Sequence, residues 1–303
     1  MCRAVVLCVR QGRALGKELI MAEFLLSAFA DEAGKTLEAQ IIALKENGFT
    51  HIEPRNLDYG NISEYTAAQC KEVRKALDAH GIGVSAIGSP FGKIGIREDF
   101  APHFDLFKRN VENAAILGAA RIRMFSFYFD ADDSYEVYRD EVFERLDKMA
   151  DYALSGGISC CHENEKGIYG DTDDRCLDIL TTFAGKIKGV FDPANFIQCG
   201  VEILPAYAKL EPYIDYLHIK DCLYANSKVV PAGKGDGHIK ELLTLFAKKD
   251  GKRFLTLEPH LKVFDGLAAL EKKGETSRQI DDYTYPTNRA AFDAAAEALR
   301  ALL

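Results

Sequence analysis

Residues 158–166 read ISCCHENEK, an apolar run that breaks off abruptly into His162, Glu163, Asn164 and Glu165. Carboxylates at the tip of a buried strand cost free energy unless something positive meets them. Three later runs end in the same way. KGVFD (188–192) stops at Asp192, DYLHIK (215–220) carries His218, and RFLTLE (253–258) stops at Glu258. Four polar groups, each at the carboxyl end of a separate apolar run, form the pattern the remaining sequence must accommodate. Four unrelated surface residues would be the simpler account, but it leaves the repeated placement unexplained.

Outward from this stretch, short apolar runs alternate with segments of helical period, the pattern of βα units and a parallel sheet. The earlier runs are FLLSAF (24–29), HIEP (51–54), IGVSAI (82–87) and RIRMFSF (121–127), which brings the total to eight. Amphipathic stretches such as TLEAQIIALKENG (36–48) and FDLFKRNVENAAILG (104–118) lie between them and close on a glycine in C-cap position. An alanine-rich helix from about Thr287 to Leu303 follows the eighth run. No Pro/Gly/Ser linker divides the chain, so the expectation is α/β, a single-domain (β/α)8 TIM barrel over residues 21–303. A doubly wound open sheet would gather its ligands at one switch point. Here the polar ends belong to strands five to eight in succession, which are neighbours on one face of a barrel.

The chain has 303 residues, 48% of them hydrophobic and 28% charged, with a formal charge of −8. That balance argues against a broad nucleic-acid footprint, which relies on clustered Lys and Arg. No apolar segment is long enough to span a bilayer. The cysteines, Cys2, Cys8, Cys70, Cys160, Cys161, Cys176, Cys199 and Cys222, show neither zinc-finger spacing nor the density of a disulfide framework. They read as reduced thiols of a cytoplasmic protein, with Cys160 and Cys161 close to the site without acting in it. Residues 1–20 read as a leader or start-site extension, because AVVLCV is too short for a signal peptide core and Met21 directly precedes the first strand.

Glu163, Asp192, His218 and Glu258 would offer three carboxylates and one imidazole to a single ion. Such an oxygen-rich set favours Mn2+ or Mg2+, with Co2+ or Zn2+ as further options. Four protein ligands leave about two positions of an octahedron for adjacent oxygens of an α-hydroxycarbonyl. A metal so placed would polarise the carbonyl, acidify the neighbouring C–H and stabilise an enediolate. Glu163 and Glu258, facing each other across it, are the candidate proton-transfer groups.

Together HEN (162–164), FDPAN (191–195), HIKD (218–221), GKGDG (233–237) and LEPH (257–260) give a chain that resembles the xylose isomerase-like TIM barrels, a family of sugar phosphate isomerases and epimerases with ketose 3-epimerase and inosose isomerase members. The resemblance runs from Phe24 to Leu303. It implies a divalent-metal enzyme acting on a carbohydrate or polyol ketone, with Glu163, Asp192, His218 and Glu258 as ligands and the two glutamates moving a proton. Two departures stand out. Ketose 3-epimerases typically carry His three residues after the metal aspartate, where this chain has Asn195, and Arg six residues after the metal histidine, where it has Tyr224. Both are substrate-contacting positions in the family.

Other polar residues sit near strand tips. Glu53 and Arg55 in HIEPRN form either a substrate-facing pair or a local ion pair, and Arg55 suits a bidentate grip on a carboxylate or phosphate. Lys220 shares the parity of His218, and His260 that of Glu258, which directs both toward substrate. Lys166 reads as a loop lysine with the site as the lesser alternative, and His162, on the opposite parity to Glu163, as a packed histidine. GKGDG lacks the ending of a P-loop and reads as a flexible loop, with a phosphate held by its backbone N–H groups as the alternative. FSFYF (125–129) is either strand core or a platform for a sugar face. The long segment LKVFDGLAALEKKGETSRQIDDYTYP (261–286) serves as a lid, a substrate wall or a homo-oligomer contact, with Phe264 and Leu267 covering the site.

Rival readings use the same features. A lyase or dehydratase would expel a group β to the carbonyl of a keto-sugar, keto-inositol or 3-keto-glycoside. An endonuclease IV-like enzyme would need a His-rich zinc cluster, against seven histidines in all. A non-catalytic sugar-binding barrel would not need both glutamates.

Overall fold

The computed structural model describes residues 22–130, 133–264 and 285–303. Eight strands run in parallel around a barrel: β1 (Glu23–Ala28), β2 (His51–Ile52), β3 (Gly83–Val84), β4 (Arg121–Met124), β5 (Ser159–Glu163), β6 (Ile187–Phe191), β7 (Ile214–Ile219) and β8 (Lys252–Leu257). Six form a continuous sheet in the order β1-β8-β7-β6-β5-β4, and β2 pairs with β3. Backbone hydrogen bonds close the ring. Thr50 and Glu53 N–H donate to Leu26 and Ala28 O, Gly83 and Ser85 N–H to Thr50 and Ile52 O, and Ile87 N–H to Arg121 O. The first and last strands are in full register, from Glu23 opposite Lys252 to Ala28 opposite Leu257. An open doubly wound sheet is thereby excluded.

Helices α1 (Leu37–Glu46), α2 (Ala67–Ala79), α3 (Phe100–Leu117), α4 (Tyr135–Ser155), α5 (Asp173–Thr182), α6 (Pro193–Gln198), α7 (Ile203–Leu210), α8 (Ile239–Phe246) and α9 (Asn288–Arg300) cover the outside. Their starts follow ordinary capping chemistry. Thr36, Asp99, Thr172 and Thr287 accept from N–H groups of the first turn, and Thr66 with Gln69 makes a capping box. Gly118 ends α3 in the left-handed region at φ 71°.

Strand parity positions the site. A small inner cluster of Ala86, Cys161, Val190, Tyr216 and Phe254 fills the barrel, while the larger core lies between strands and helices. Because side chains alternate along a strand, residues two beyond Cys161, Val190 and Tyr216, and four beyond Phe254, also point inward. Those residues are Glu163, Asp192, His218 and Glu258.

Several expected features differ in detail. The fourth strand stops at Met124 rather than at 127, because the chain turns at Phe127 (φ 66°). There Phe125 and Phe127 N–H donate to Phe91 O and Gly92 O in the loop after β3. Gly92 itself sits at φ 88°, and a Cβ there would lie 2.1 Å from Phe125 O, so only glycine fits. Phe125, Phe127 and Phe129 are buried, which makes FSFYF core rather than a sugar-stacking platform. The extension over residues 1–20 lies outside the described residues, as do Leu267 and most of the segment after β8.

The glycine-rich GKGDG segment is also not the loose loop its composition suggests. Gly233 and Gly235 N–H donate to Asp221 Oδ2 at 2.8 and 3.0 Å, and Gly237 N–H to Oδ1 at 2.8 Å. A side chain at Gly235 or Gly237 would collide with that carboxylate. The N–H groups that a phosphate would need are already occupied. Replacing Asp221 by Ala leaves three donors without an acceptor, so Asp221→Ala should lower the unfolding free energy by about 3 kcal/mol or more. It should also speed amide exchange at Gly233, Gly235 and Gly237, and unchanged exchange at those three amides would contradict the assignment.

Candidate metal centre

Glu163, Asp192, His218 and Glu258 are all buried, and one ligand atom from each lies within 4.8 Å of the other three. His218 Nδ1 is 3.0 Å from Glu163 Oε1 and 3.2 Å from Glu258 Oε2. Asp192 caps α6, its Oδ1 accepting from Asn195 N–H at 3.0 Å, which turns Oδ2 toward the group. Lys220 Nζ stands 2.7 Å from that oxygen and 3.5 Å from Glu258 Oε2.

Electrostatics show how poorly these groups suit one another unaided. Burial would raise the carboxyl of Glu163, but His218 and Arg123 outweigh it and hold the group well below its usual range. Glu258 is likewise held down against burial, by Lys220 and His260. Burial pushes Asp192 up to about 7; Lys220 opposes this, while the charges of Glu258 and Glu163 add to it. His218 resists the downward pull of burial because Glu163 and Glu53 hold its proton on. Asp192 Oδ2 and Glu258 Oε2 are buried, and the positive groups nearest them are the Lys220 ammonium and the His218 imidazole. Three buried carboxylates that converge on one point and are met there by a single ammonium and one imidazole mark a place a divalent cation can take. Three carboxylates and an imidazole suit a divalent ion of the Mg2+ or Mn2+ type in charge and donor chemistry.

The family profile described as Xylose isomerase-like TIM barrel matches residues 41–279. The chain belongs to this family. No curated protein matches the sequence. Among solved structures, an L-ribulose 3-epimerase shares 19% identity over 93% of this chain and 95% of its own, with a TM-score of 0.69. A probable 3-DHS dehydratase, AsbF, from Bacillus anthracis shares 18% over 91% and 98%, at 0.67. A xylose isomerase-like TIM barrel protein from Mycobacterium smegmatis in complex with magnesium shares 15% over 92% and 96%, at 0.65. At these identities the likeness concerns the fold.

In this xylose isomerase-like barrel the expected contact residues divide into three groups. Lys220, Asn195 and His260 lie directly against the quartet. Asn195 Nδ2 donates to Glu163 Oε1 at 3.2 Å and to Asn164 O at 2.9 Å. His260 Nε2 is 3.2 Å from Glu258 Oε1 and 3.4 Å from Glu32 Oε1, on a backbone at φ 45°. Glu53 and Arg55 are drawn inward instead. Glu53 accepts from Tyr216 Oη at 3.1 Å and Thr256 Oγ1 at 3.0 Å, and lies 3.5 Å from His218 Nε2, so it backs the imidazole from below. Arg55 is bidentate to Asp31 at 2.9 and 3.0 Å, with Glu32 at 3.2 Å and Glu258 at 3.4 Å. Of its two expected roles it takes the ion pair, and Asp31 holds the fork that a carboxylate or phosphate would need. The rings of Phe29 and Phe264 lie 4.4 and 5.0 Å from that guanidinium. Lys166 is exposed on the loop after β5. His162 packs against Ser126 Oγ at 2.9 Å and Gly170, where burial pulls its imidazole down to about 4.

Glu32, Glu258 and His260 form a second convergent set. Arg55 already supplies its positive charge, so it reads as an ion-pair network.

Sequence reasoning overlooked Arg123, Asp31, Glu32 and Asn164. Arg123 Nη1 donates to Glu163 Oε2 at 3.1 Å. Asn164 is paired twice with the main chain of Asp192, Nδ2 to its O at 2.8 Å and Oδ1 to its N–H at 2.9 Å. The signals were present: an Arg at an inward position of RIRMF, and adjacent acids just after the first strand in FADEAG.

The charge pattern sets a pH dependence. Below about 7 Asp192 carries a proton, and His218 holds one to still higher pH, so an entering cation must displace them. Mn2+ affinity measured by calorimetry should therefore rise with pH, by roughly a hundredfold per unit below about 7, where both protons are displaced, and by roughly tenfold per unit just above it. Affinity independent of pH between 6 and 8 would count against the assignment.

Proposed function

We propose that this chain is a divalent-metal-dependent isomerase or epimerase of a sugar or polyol ketone, working by proton abstraction next to the carbonyl through an enediolate. The observation that carries the reading is the placement of Glu163 and Glu258, both within 3.2 Å of one imidazole nitrogen yet on different strands. Of two carboxylates facing one another across a single centre, one can take the proton from the substrate carbon beside the carbonyl, leaving a planar enediolate, and the other can return a proton to its opposite face. When bound, a divalent ion, Mn2+ or Mg2+ by the donor set, supplies the positive charge that stabilises the enediolate.

The surrounding residues serve that chemistry. His218, Asp192 and the two glutamates would hold the ion. Lys220 and His260 stand beside Glu258, within reach of substrate hydroxyls or of a developing alkoxide. Asn195, bound to Glu163 and Asn164 O, orients the carboxylate. Asp31, by occupying the fork of Arg55, removes the best grip on a phosphate or carboxylate, which favours uncharged polyols. Six described cysteines are free thiols, five of them buried, which fits a cytoplasmic setting. Among the described residues no helix is long and apolar enough to cross a membrane.

A second reading draws on Lys220. An ammonium beside the same site could protonate a leaving group β to the carbonyl, giving a lyase or dehydratase on a keto-inositol or 3-keto-glycoside. The departures at Asn195 and Tyr224 from the ketose 3-epimerase pattern favour it. Tyr224 is 43% exposed, and its hydroxyl donates to Val201 O at 2.7 Å, so it does not replace a substrate-binding Arg.

One experiment separates the two. Mn2+-loaded protein is incubated in D2O with free ketoses, inososes and 3-keto-glycosides and followed by NMR. An isomeric product carrying deuterium at the exchanged carbon is expected, whereas an unsaturated or cleaved product would establish the second reading. Glu163→Gln and Glu258→Gln should each lower kcat by about 10²–10⁴. Full turnover in either variant would sink the two-glutamate mechanism.

A further inference from the structure

Arg123 is almost wholly buried, at 4% exposure. Burying a guanidinium is costly, so its contacts need a reason. Its inward position on β4 brings Nη1 to Glu163 Oε2 at 3.1 Å, while Nη2 donates to Ser89 O at 3.2 Å. Phe29 and Phe125 lie 5.0 and 4.9 Å from its carbon, which leaves the planar group little freedom to turn. The Ser89 end is fixed as well. Ser89 Oγ donates back to Arg123 O, and the same loop is pinned to Phe125 and Phe127 through Phe91 and Gly92. Meanwhile the other oxygen of Glu163, Oε1, faces His218 Nδ1 and Asn195 Nδ2 at 3.0 and 3.2 Å.

We propose that Arg123 is a positioning residue: anchored to the loop after β3, it holds Glu163 Oε2 so that the carboxylate offers only Oε1 to a divalent ion. This rests on the reading of the quartet as a metal centre. It adds that the ligand geometry is set from outside the four ligands, by a residue on a strand that contributes none of them. A planar fork can bridge a carboxylate and a backbone carbonyl together, whereas a lysine ammonium on a flexible stem cannot hold the same arrangement.

The test is Mn2+ binding by calorimetry on the purified full chain, with circular dichroism melts to verify folding. Arg123→Lys and Arg123→Gln should both weaken Mn2+ binding about 10–100-fold while remaining folded. Folded Arg123→Lys with wild-type affinity would show that charge alone suffices and overturn the positioning role. Should both variants unfold, the crystal structure of the Mn2+-loaded wild-type chain decides. Coordination through Oε1 alone, with Oε2 kept on Arg123, supports the proposal, and chelation through both oxygens overturns it. Glu163→Gln serves as the control. If wild-type protein binds no Mn2+, or Glu163→Gln binds it as wild type does, the metal-centre reading itself fails and takes this inference with it. If Glu163→Gln weakens binding and the folded Arg123 variants do not, only the inference about Arg123 fails.

Discussion

Like charges crowded into a buried space are the constraint on which this barrel is built. Two carboxylates about 4 Å apart repel by roughly 4 kcal/mol at an effective dielectric near 20, several times the net worth of an ordinary hydrogen bond. Glu163, Asp192 and Glu258 sit at about that spacing, out of reach of bulk water. Hydrogen bonds from Asn195 and from Asn164 aim these groups without neutralising them. Neutralisation falls to Arg123, Arg55 and Lys220, each of which is itself buried and tied to at least one of the three acids. At the centre the convergent oxygens are met by the Lys220 ammonium and the His218 imidazole, positive groups that a divalent ion would join or replace.

A barrel is well suited to holding such an arrangement, because each strand is fixed on two sides by its neighbours and from below by packed side chains. Cys161, Val190, Tyr216 and Phe254 form the floor, and Tyr216 and Thr256 bond to Glu53, which in turn backs His218. Sideways motion of one ligand is resisted by the ladder, and downward motion by that floor. The labour divides around the ring. Strands β5 to β8 carry the four convergent groups, whereas β2 and β4 and the segments after β1 and β3 contribute residues that hold or counter them.

How much of this the sequence disclosed follows the same division. Alternation of apolar runs and helical segments made the eight strands legible, because a parallel barrel buries both faces of every strand. The quartet was legible because acids at the ends of apolar runs have no cheap structural explanation. Parity alone placed Lys220 and His260 beside their partners. What stayed hidden were pairings across the ring. Nothing in HIEPRN tells that Arg55 will be gripped by Asp31, twenty-four positions earlier, or that Glu53 will turn under His218. Arg123 escaped because an arginine within an apolar strand has several ordinary explanations until its partner is known. The GKGDG segment misled for a related reason. Glycine richness suggests freedom, but here the glycines clear room for one carboxylate, that of Asp221.

Backbone strain adds a last constraint on how the site can vary. Phe127 and His260 both occupy the left-handed region without being glycine, at φ 66° and 45°, and each lies just past the carboxyl end of a barrel strand. Such residues cost of order 1–3 kcal/mol and persist only where their surroundings dictate them. At Phe127 the dictating contacts are the backbone bonds to Gly92 and the buried ring. At His260 they are the N–H bond to Glu32 at 2.6 Å and the approach of the imidazole to Glu258. The first strained turn lies just past the strand that carries Arg123 toward Glu163, and the second brings His260 to Glu258. Each of the two glutamates is therefore held by a cationic or imidazole group whose own backbone neighbourhood is under tension. A substitution that relaxed either turn would gain local stability and loosen the carboxylate it supports, which ties the cost of the strain to the geometry of the pair.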